Sequence, residues 1–370
     1  VCDSPAGKYQ YYGYVCYPDG TAFGKKKGDC MPFDPGILVD DDGSVHLYVG
    51  QGPLFKKDKT DASAYHVELM PDMKTICSEP VRIIPNIKDS AGTGFEQHEF
   101  FEANSIRKFD GKYYFIYSSV QSHELVYAIS QRPDGDFHYC GTLYSNGDIG
   151  IGDFFPVEYG RTAARKEIKA YIGNNHGSIV EINRKYYIFG HRHTNASSYS
   201  RQGVAEEIYK NEDGTFEQAE MTSCGLNGGP LYGIGRYSAA IVCNLQSKEG
   251  ACFSSPKMQD KKHPRITQDG RDREENPNQH IANMRDGAIA GYKYFDFTHY
   301  RPKAIELILR GKGQGKISVY DDITCKNKLA EVKVVIDSKN WEKRSEKISA
   351  EGEKSAIFFR YEGRGSIDLL

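Results

Sequence analysis

Three stretches of this chain repeat one pattern, and the repetition narrows the possible folds more than any bulk property does. The first runs Asp34-Pro35-Gly36-Ile37 and reaches Asp42-Gly43-Ser44-Val45-His46-Leu47-Tyr48. The second runs Glu102-Ala103-Asn104-Ser105-Ile106 and reaches Asp110-Gly111-Lys112-Tyr113-Tyr114. The third runs His176-Gly177-Ser178-Ile179 and reaches Asn183-Arg184-Lys185-Tyr186-Tyr187. Asp34 and Glu102 each lie nine residues before a turn glycine, Gly43 and Gly111, and His176 lies eight before Arg184, which takes the glycine's place. Each unit reads as a strand, a tight turn and a second β-branched or aromatic strand, hence a hairpin. Hairpins recurring at intervals of 68 and 74 residues suggest the blades of a propeller. A propeller sets its repeats around an axis, so equivalent positions at the starts of the innermost strands converge. An aspartate, a glutamate and a histidine are therefore expected to meet at the mouth of one channel.

Composition supports an all-β chain. Aromatic residues make up 12%, with 26 Tyr and 18 Phe against a single Trp, and there are 38 Gly. Tyrosine faces suit sugar-binding clefts, although β-sheets favour tyrosine for packing alone. A formal charge of −2 and a pI near 6.6 offer no basic footprint for nucleic acid or an anionic membrane. No apolar run approaches the ~18 residues that span a bilayer. The nine cysteines show no C-x-x-C pair and no metal-ligand rhythm with histidine. An odd, scattered set argues for reduced thiols and slightly favours the cytoplasm, without fixing the localisation.

Residues 1–255 keep strand-and-turn texture, with Asp-Gly or Asn-Gly turns at Asp19, Asp42, Asp110, Asp134, Asn146 and Asp213. Between about 254 and 280 the texture turns polar and charged, through Gln259–His263 and Asp272–Pro277, as in a linker or covering segment. Short alternating strands return at 304–309, 315–320, 330–336 and 356–361, which fit a small β-sandwich. The expected organisation is a propeller over 1–255 and a linker plus sandwich over 256–370.

These motifs resemble glycoside hydrolase family 43. Phe33-Asp34-Pro35-Gly36-Ile37-Leu38-Val39-Asp40-Asp41-Asp42-Gly43 resembles its "DP…DDDG" segment. Phe101-Glu102-Ala103-Asn104-Ser105-Ile106-Arg107-Lys108, followed by Gly111-Lys112-Tyr113-Tyr114, resembles its general-acid strand, and Asn175-His176-Gly177-Ser178 its central-histidine strand. Ser4-Pro5-Ala6-Gly7-Lys8-Tyr9 resembles the "SPxGP" turn that precedes the DP segment. The four motifs follow the family's order across about 190 residues. The resemblance implies a five-bladed propeller that hydrolyses arabinose- or xylose-containing plant glycans with inversion, as an α-L-arabinofuranosidase or β-xylosidase. It implies Glu102 as general acid and Asp34 as the carboxylate that tunes the acid and orients the sugar. His176 becomes the axial histidine that holds water or calcium. No cofactor is required beyond a structural calcium near His176 or in the C-terminal module. Residues 281–370 resemble a family 6 carbohydrate-binding module through Leu309-Arg310-Gly311, Asn340-Trp341 and Gly363-Arg364-Gly365-Ser366-Ile367-Asp368.

The family's general base is an aspartate upstream of the SPxGP turn, and that segment has no counterpart here. The expectation is a propeller truncated at its N-terminus by roughly 100 residues, with about three and a half of five blades present. The missing segment would lie upstream or in a separate polypeptide, and hydrolysis by these residues alone would be negligible.

Inverting hydrolysis needs an acid to protonate the leaving oxygen and a carboxylate to activate water on the opposite face, ~6.5–9.5 Å apart. A neighbouring carboxylate such as Asp34 keeps Glu102 protonated by like-charge repulsion. Plainer readings stand beside each assignment. Asp34 can be an Asx-Pro turn residue, Glu102 an exposed strand glutamate, and His176 a core histidine. Phe33 and Phe101 fit either walls for the terminal sugar or the core. Arg192 is a candidate contact to sugar hydroxyls, and its neighbours His191 and His193 a weak zinc pair. Trp341 suits sugar stacking or a core anchor. The family's second tryptophan three residues later is Arg344 here. A non-catalytic glycan-binding protein is the alternative function, and a scaffold for protein partners a third.

Overall fold

Turn residues decide the first strand pairings. Asp110 and Gly111 have φ of 50° and 74°, and Asn183 and Arg184 have 53° and 63°. Two consecutive left-handed residues make a turn whose twist matches that of antiparallel strands. Arg184 therefore does take the glycine's position, despite the steric cost to a side chain there. The structure, a computed structural model, describes residues 1–53, 57, 62–121, 123–146, 148, 151, 173–195, 197, 199–250, 262–270 and 278–370.

Strands β1 (Gly36–Val39), β2 (Val45–Gly50), β3 (Ala64–Leu69) and β4 (Val81–Arg82) form one sheet in sequence order. β5 (Phe100–Phe109), β6 (Lys112–Ser119), β7 (Leu125–Ser130) and β8 (His138–Tyr144) form a second. β9 (Ser178–Ile182), β10 (Lys185–His193) and β11 (Arg201–Ile208) form a third. Four-stranded antiparallel sheets in sequence order, like the first two, have the strand content of propeller blades. All six residues of β2 are buried, as expected for a strand covered on both faces.

The chain divides into two compact units. One comprises Val1–Gln121, Leu125–Gly141 and His176–Ser178, and the other Ser122–Glu124, Thr142–Asn175 and Ile179–Leu370. In the first, Phe115 is a hub whose ring lies 5.6–6.2 Å from those of Tyr48, Phe100, Tyr117 and Phe137. The buried tyrosines keep their hydroxyls bonded, Tyr48 to Pro133 O at 2.6 Å and Tyr117 to His98 O at 2.7 Å, which removes the penalty of burying a phenol. Lys108 and Tyr113 of the second hairpin both bind the Asp40 carboxylate of the first. Burial raises the Asp40 pKa, but these two partners outweigh it and hold the group near 2.

In the second unit, β12 (Leu231–Tyr232), β13 (Asn244–Gln246), β14 (Arg265–Asp269), β15 (Asn278–Met284), β16 (Ile289–Asp296), β17 (Ala304–Tyr320), β18 (Lys328–Lys347) and β19 (Ser355–Leu369) belong to one branched sheet system. Its core includes Ile281, Leu309, Val319, Val334, Tyr361 and Ile367, all essentially inaccessible. The strands expected at 304–309 and 315–320 join into β17, with a register shift at Leu309/Gly311. A Cβ on Gly315 would lie 2.2 Å from Glu362 O, so this glycine serves close strand approach and not chain reversal. Arg265–Asp269, within the stretch read as a linker, pairs with β15 as β14. Residues 251–261 and 271–277, with most of that linker reading, and Gly147 lie outside the described residues.

One pair in the first unit predicts an acid response. On adjacent strands, His46 Nδ1 and His66 Nε2 are 2.9 Å apart, and Ser44 Oγ lies 2.9 Å from His46 Nε2. The shared contact needs one nitrogen unprotonated. Burial, and then the neighbouring His46, push His66 down to about 4. An unfolded histidine titrates near 6.5, so between these values the unfolded chain binds more protons. Stability should be complete above about pH 6.5 and fall by on the order of 3 kcal/mol as the pH drops to about 4. Urea denaturation from pH 7.5 to 4 should show this loss, and His66→Gln should flatten it. Equal pH dependence in both proteins would refute the assignment.

Candidate active site

Asp34 enters the site two residues ahead of β1. Its φ is 46°, an unfavourable conformation for a side-chain-bearing residue, and its surroundings hold it there. Asn104 Nδ2 donates to Asp34 O at 3.0 Å, and the Ala103 N–H donates to Asp34 Oδ2 at 3.2 Å. The next strand residue, Gly36, packs so closely on β5 that a Cβ would lie 2.6 Å from Asn104 O. Only glycine fits that approach.

Glu102 sits on an irregularity in β5. The pairing with β6 shifts register between Phe100 and Glu102 and again between Glu102 and Ser105. Ala103 takes φ of 70°. A bulge of this kind re-aims side chains that strict alternation would send elsewhere. His176 arrives from the segment leading into β9, where Ser105 Oγ donates to Ser178 Oγ at 2.7 Å. That bond ties the histidine segment to the glutamate strand.

The three side chains meet. His176 Nε2 lies 3.0 Å from Glu102 Oε1, and His176 Nδ1 lies 3.6 Å from Asp34 Oδ2. One polar atom from each of the three lies within 4.8 Å of the other two. Glu102 is the deepest at 9% side-chain exposure, against 23% for Asp34 and 27% for His176. The two carboxylates are closer than the ~6.5–9.5 Å that an acid and a water-activating base require. That spacing leaves no room for a water between Asp34 and Glu102.

The group is compact enough for a cation, but both ring nitrogens of His176 face carboxylates. Calcium prefers six to eight oxygen ligands, so this donor set does not fit the expected calcium. Among the described residues no other group of three His, Cys, Asp or Glu ligand atoms is as tight. That holds for His191 and His193, whose rings stack at 6.0 Å, and for the C-terminal module.

The remaining candidates are placed as follows. Phe33 is half-buried and Phe101 is 7% exposed. Arg192, in the second unit, is 5% exposed, and its guanidinium donates to Gln202 Oε1 and to the carbonyls of Ala240 and Val242. These partners make it a packing element inside that unit, in contrast to the sugar contact expected of it. Trp341 is partly buried, with the Arg310 guanidinium 4.3 Å from its ring and the His280 ring 5.3 Å away, edge-on. Arg344 donates to Val335 O and Glu342. Sequence reasoning gave no role to Asn104 or Ser105. Their signal was polarity at positions of a strand that pattern alone assigns to packing.

No family model matches the chain. It is 45% identical over 372 residues to a xylosidase/arabinosidase of Thermoclostridium stercorarium, covering all of this chain and 75% of that protein. A β-xylosidase of Xylanibacter ruminicola is 30% identical over 179 residues, covering 43% of this chain and 48% of that protein. Among solved structures, a glycoside hydrolase family 43 arabinoxylan arabinofuranohydrolase from Bacillus subtilis, in complex with cellotetraose, matches with 20% identity and a TM-score of 0.45. It covers all of this chain and 72% of its own. With 45% identity along its whole length to the Thermoclostridium stercorarium protein, the chain belongs to the xylosidase/arabinosidase family.

Proposed function

We propose that this chain carries the acid side of an inverting glycosidase site that cleaves xylose- or arabinose-type units from plant cell-wall glycans. The convergence of Asp34, Glu102 and His176 within 4.8 Å is the observation that carries the reading. Similarity to a xylosidase/arabinosidase and a β-xylosidase supports the substrate class. Glu102 protonates the glycosidic oxygen as the bond breaks. His176, 3.0 Å from its Oε1, orients that carboxyl toward the leaving group. Asp34 supplies negative charge beside a reacting sugar that gains oxocarbenium character. Water activation falls to a third carboxylate, because Asp34 stands too close to Glu102 for that task.

Two substitutions test these roles in the active enzyme. Glu102→Gln keeps shape but has no proton to give, so hydrolysis of xylo- and arabinoxylo-oligosaccharides should fall ~10²–10⁴-fold. p-Nitrophenyl pentosides, whose leaving group needs little protonation, should be spared, and oligosaccharide binding by calorimetry should persist. An unchanged rate on the natural oligosaccharides would remove Glu102 from the mechanism.

Asp34→Ala distinguishes a charged neighbour from a base. A small anion such as azide can enter the space of a missing water-activating carboxylate and restore turnover. Here azide should give no recovery and no glycosyl azide. Recovery with an azide product would make Asp34 the base.

A further inference from the structure

Asn104 takes no part in the chemistry above, yet its buried side chain lies where three pieces of backbone meet. Its Nδ2 is 3.0 Å from Asp34 O, 3.3 Å from Phe33 O and 3.3 Å from Gly50 O. The residue is 7% exposed. Phe33 and Asp34 form the approach to β1, Gly50 ends β2, and Asn104 itself follows Glu102 by two residues. One carboxamide thus joins the peptide that presents Asp34 to the bulge that presents Glu102. Few side chains could replace it. Leucine would leave those carbonyls without the donor, and aspartate would set a carboxylate against them.

The backbone around this contact needs an external hold. Asp34 and Ala103 both have positive φ, and such residues persist only where surrounding structure over-determines them. The Ala103 N–H that reaches Asp34 Oδ2 depends on the turn at Ala103, and the Asp34 loop is held from the other side by the Asn104 amide. Gly36, pressed against Asn104 O, prevents the loop from settling elsewhere.

We propose that Asn104 is a positioning residue that sets how far the Asp34 carboxylate stands from Glu102, and so how strongly the two groups sense each other's charge. The proposal rests on the reading of Glu102 as acid and Asp34 as its charged neighbour. It assigns the glutamate strand a second function, since the same bulge that aims Glu102 also places the amide that fixes Asp34.

The test reads the coupling directly and needs no turnover. Glutamate side-chain carboxyls are labelled with carbon-13, the Glu102 signal is assigned by its loss in Glu102→Gln, and its titration midpoint is followed. The proteins are wild type, Asp34→Asn, Asn104→Ala and the double variant. The His176 ring is followed in parallel, because it faces both carboxylates. Asp34→Asn should move the Glu102 midpoint. Asn104→Ala should move it in the same direction by at least half as much, and the double variant should match Asp34→Asn alone. If Asn104→Ala fails to fold, Asn104→Ser, which keeps one donor, is read by the same criterion. A folded Asn104 variant with an unmoved Glu102 midpoint, or a double variant whose shifts simply add, overturns the proposal and leaves Asn104 a stability residue. An Asp34→Asn variant that leaves Glu102 unmoved overturns both this proposal and the role given to Asp34.

Discussion

The backbone contact between β1 and β5 is the constraint on which the site depends. At one point Gly36 lies so close to Asn104 O that no side chain could intervene. Near the adjoining strand end the Gly52 N–H donates to Phe101 O at 2.7 Å. At the far end of the same hairpins, Lys108 and Tyr113 grip Asp40. Clamped at both ends, the first sheet is held in register with the second, and the Asn104 amide acts within that frame.

Much of this was legible in the sequence, for identifiable reasons. The hairpins were readable because turn residues and strand residues differ in kind, and the repeat exposed even a turn with arginine in place of glycine. Asp34, Glu102 and His176 were readable because equivalent positions in repeats converge. The bulge at Glu102 was not, since a register shift depends on the partner strand and leaves no mark in the local pattern. Asn104 was hidden for the same reason, as its acceptors are 54–71 residues away in sequence. The continuity of β17 was masked by its glycines, which act in close packing and not as turns. Arg192 was misleading because an isolated arginine on a strand looks exposed until the carbonyls that receive it are known.

Both units bury charge as well as neutral polarity. The first holds the Asp40 carboxylate against Lys108 and carries the shared His46–His66 contact. The second buries whole charges, with Lys293 between Asp148 at 3.1 Å and Glu220 at 2.7 Å. Burial lifts Glu206 to about 7 there, although Thr222 donates to it. Pairing inside a low-dielectric interior costs desolvation but fixes geometry, and removing one partner is far more damaging than never having had the pair.

The single tryptophan carries an optical consequence. Trp341 lies on β18 in the second unit, against Arg310 and His280. Indole emission excited at the red edge therefore observes that unit alone, and the tyrosine-rich first unit, which holds the carboxylates, is dark to it. A melting curve recorded in this way would describe the strands around Trp341 while remaining blind to the loss of the site. Circular dichroism, which weighs every strand, would trace a different curve whenever the two units melt apart.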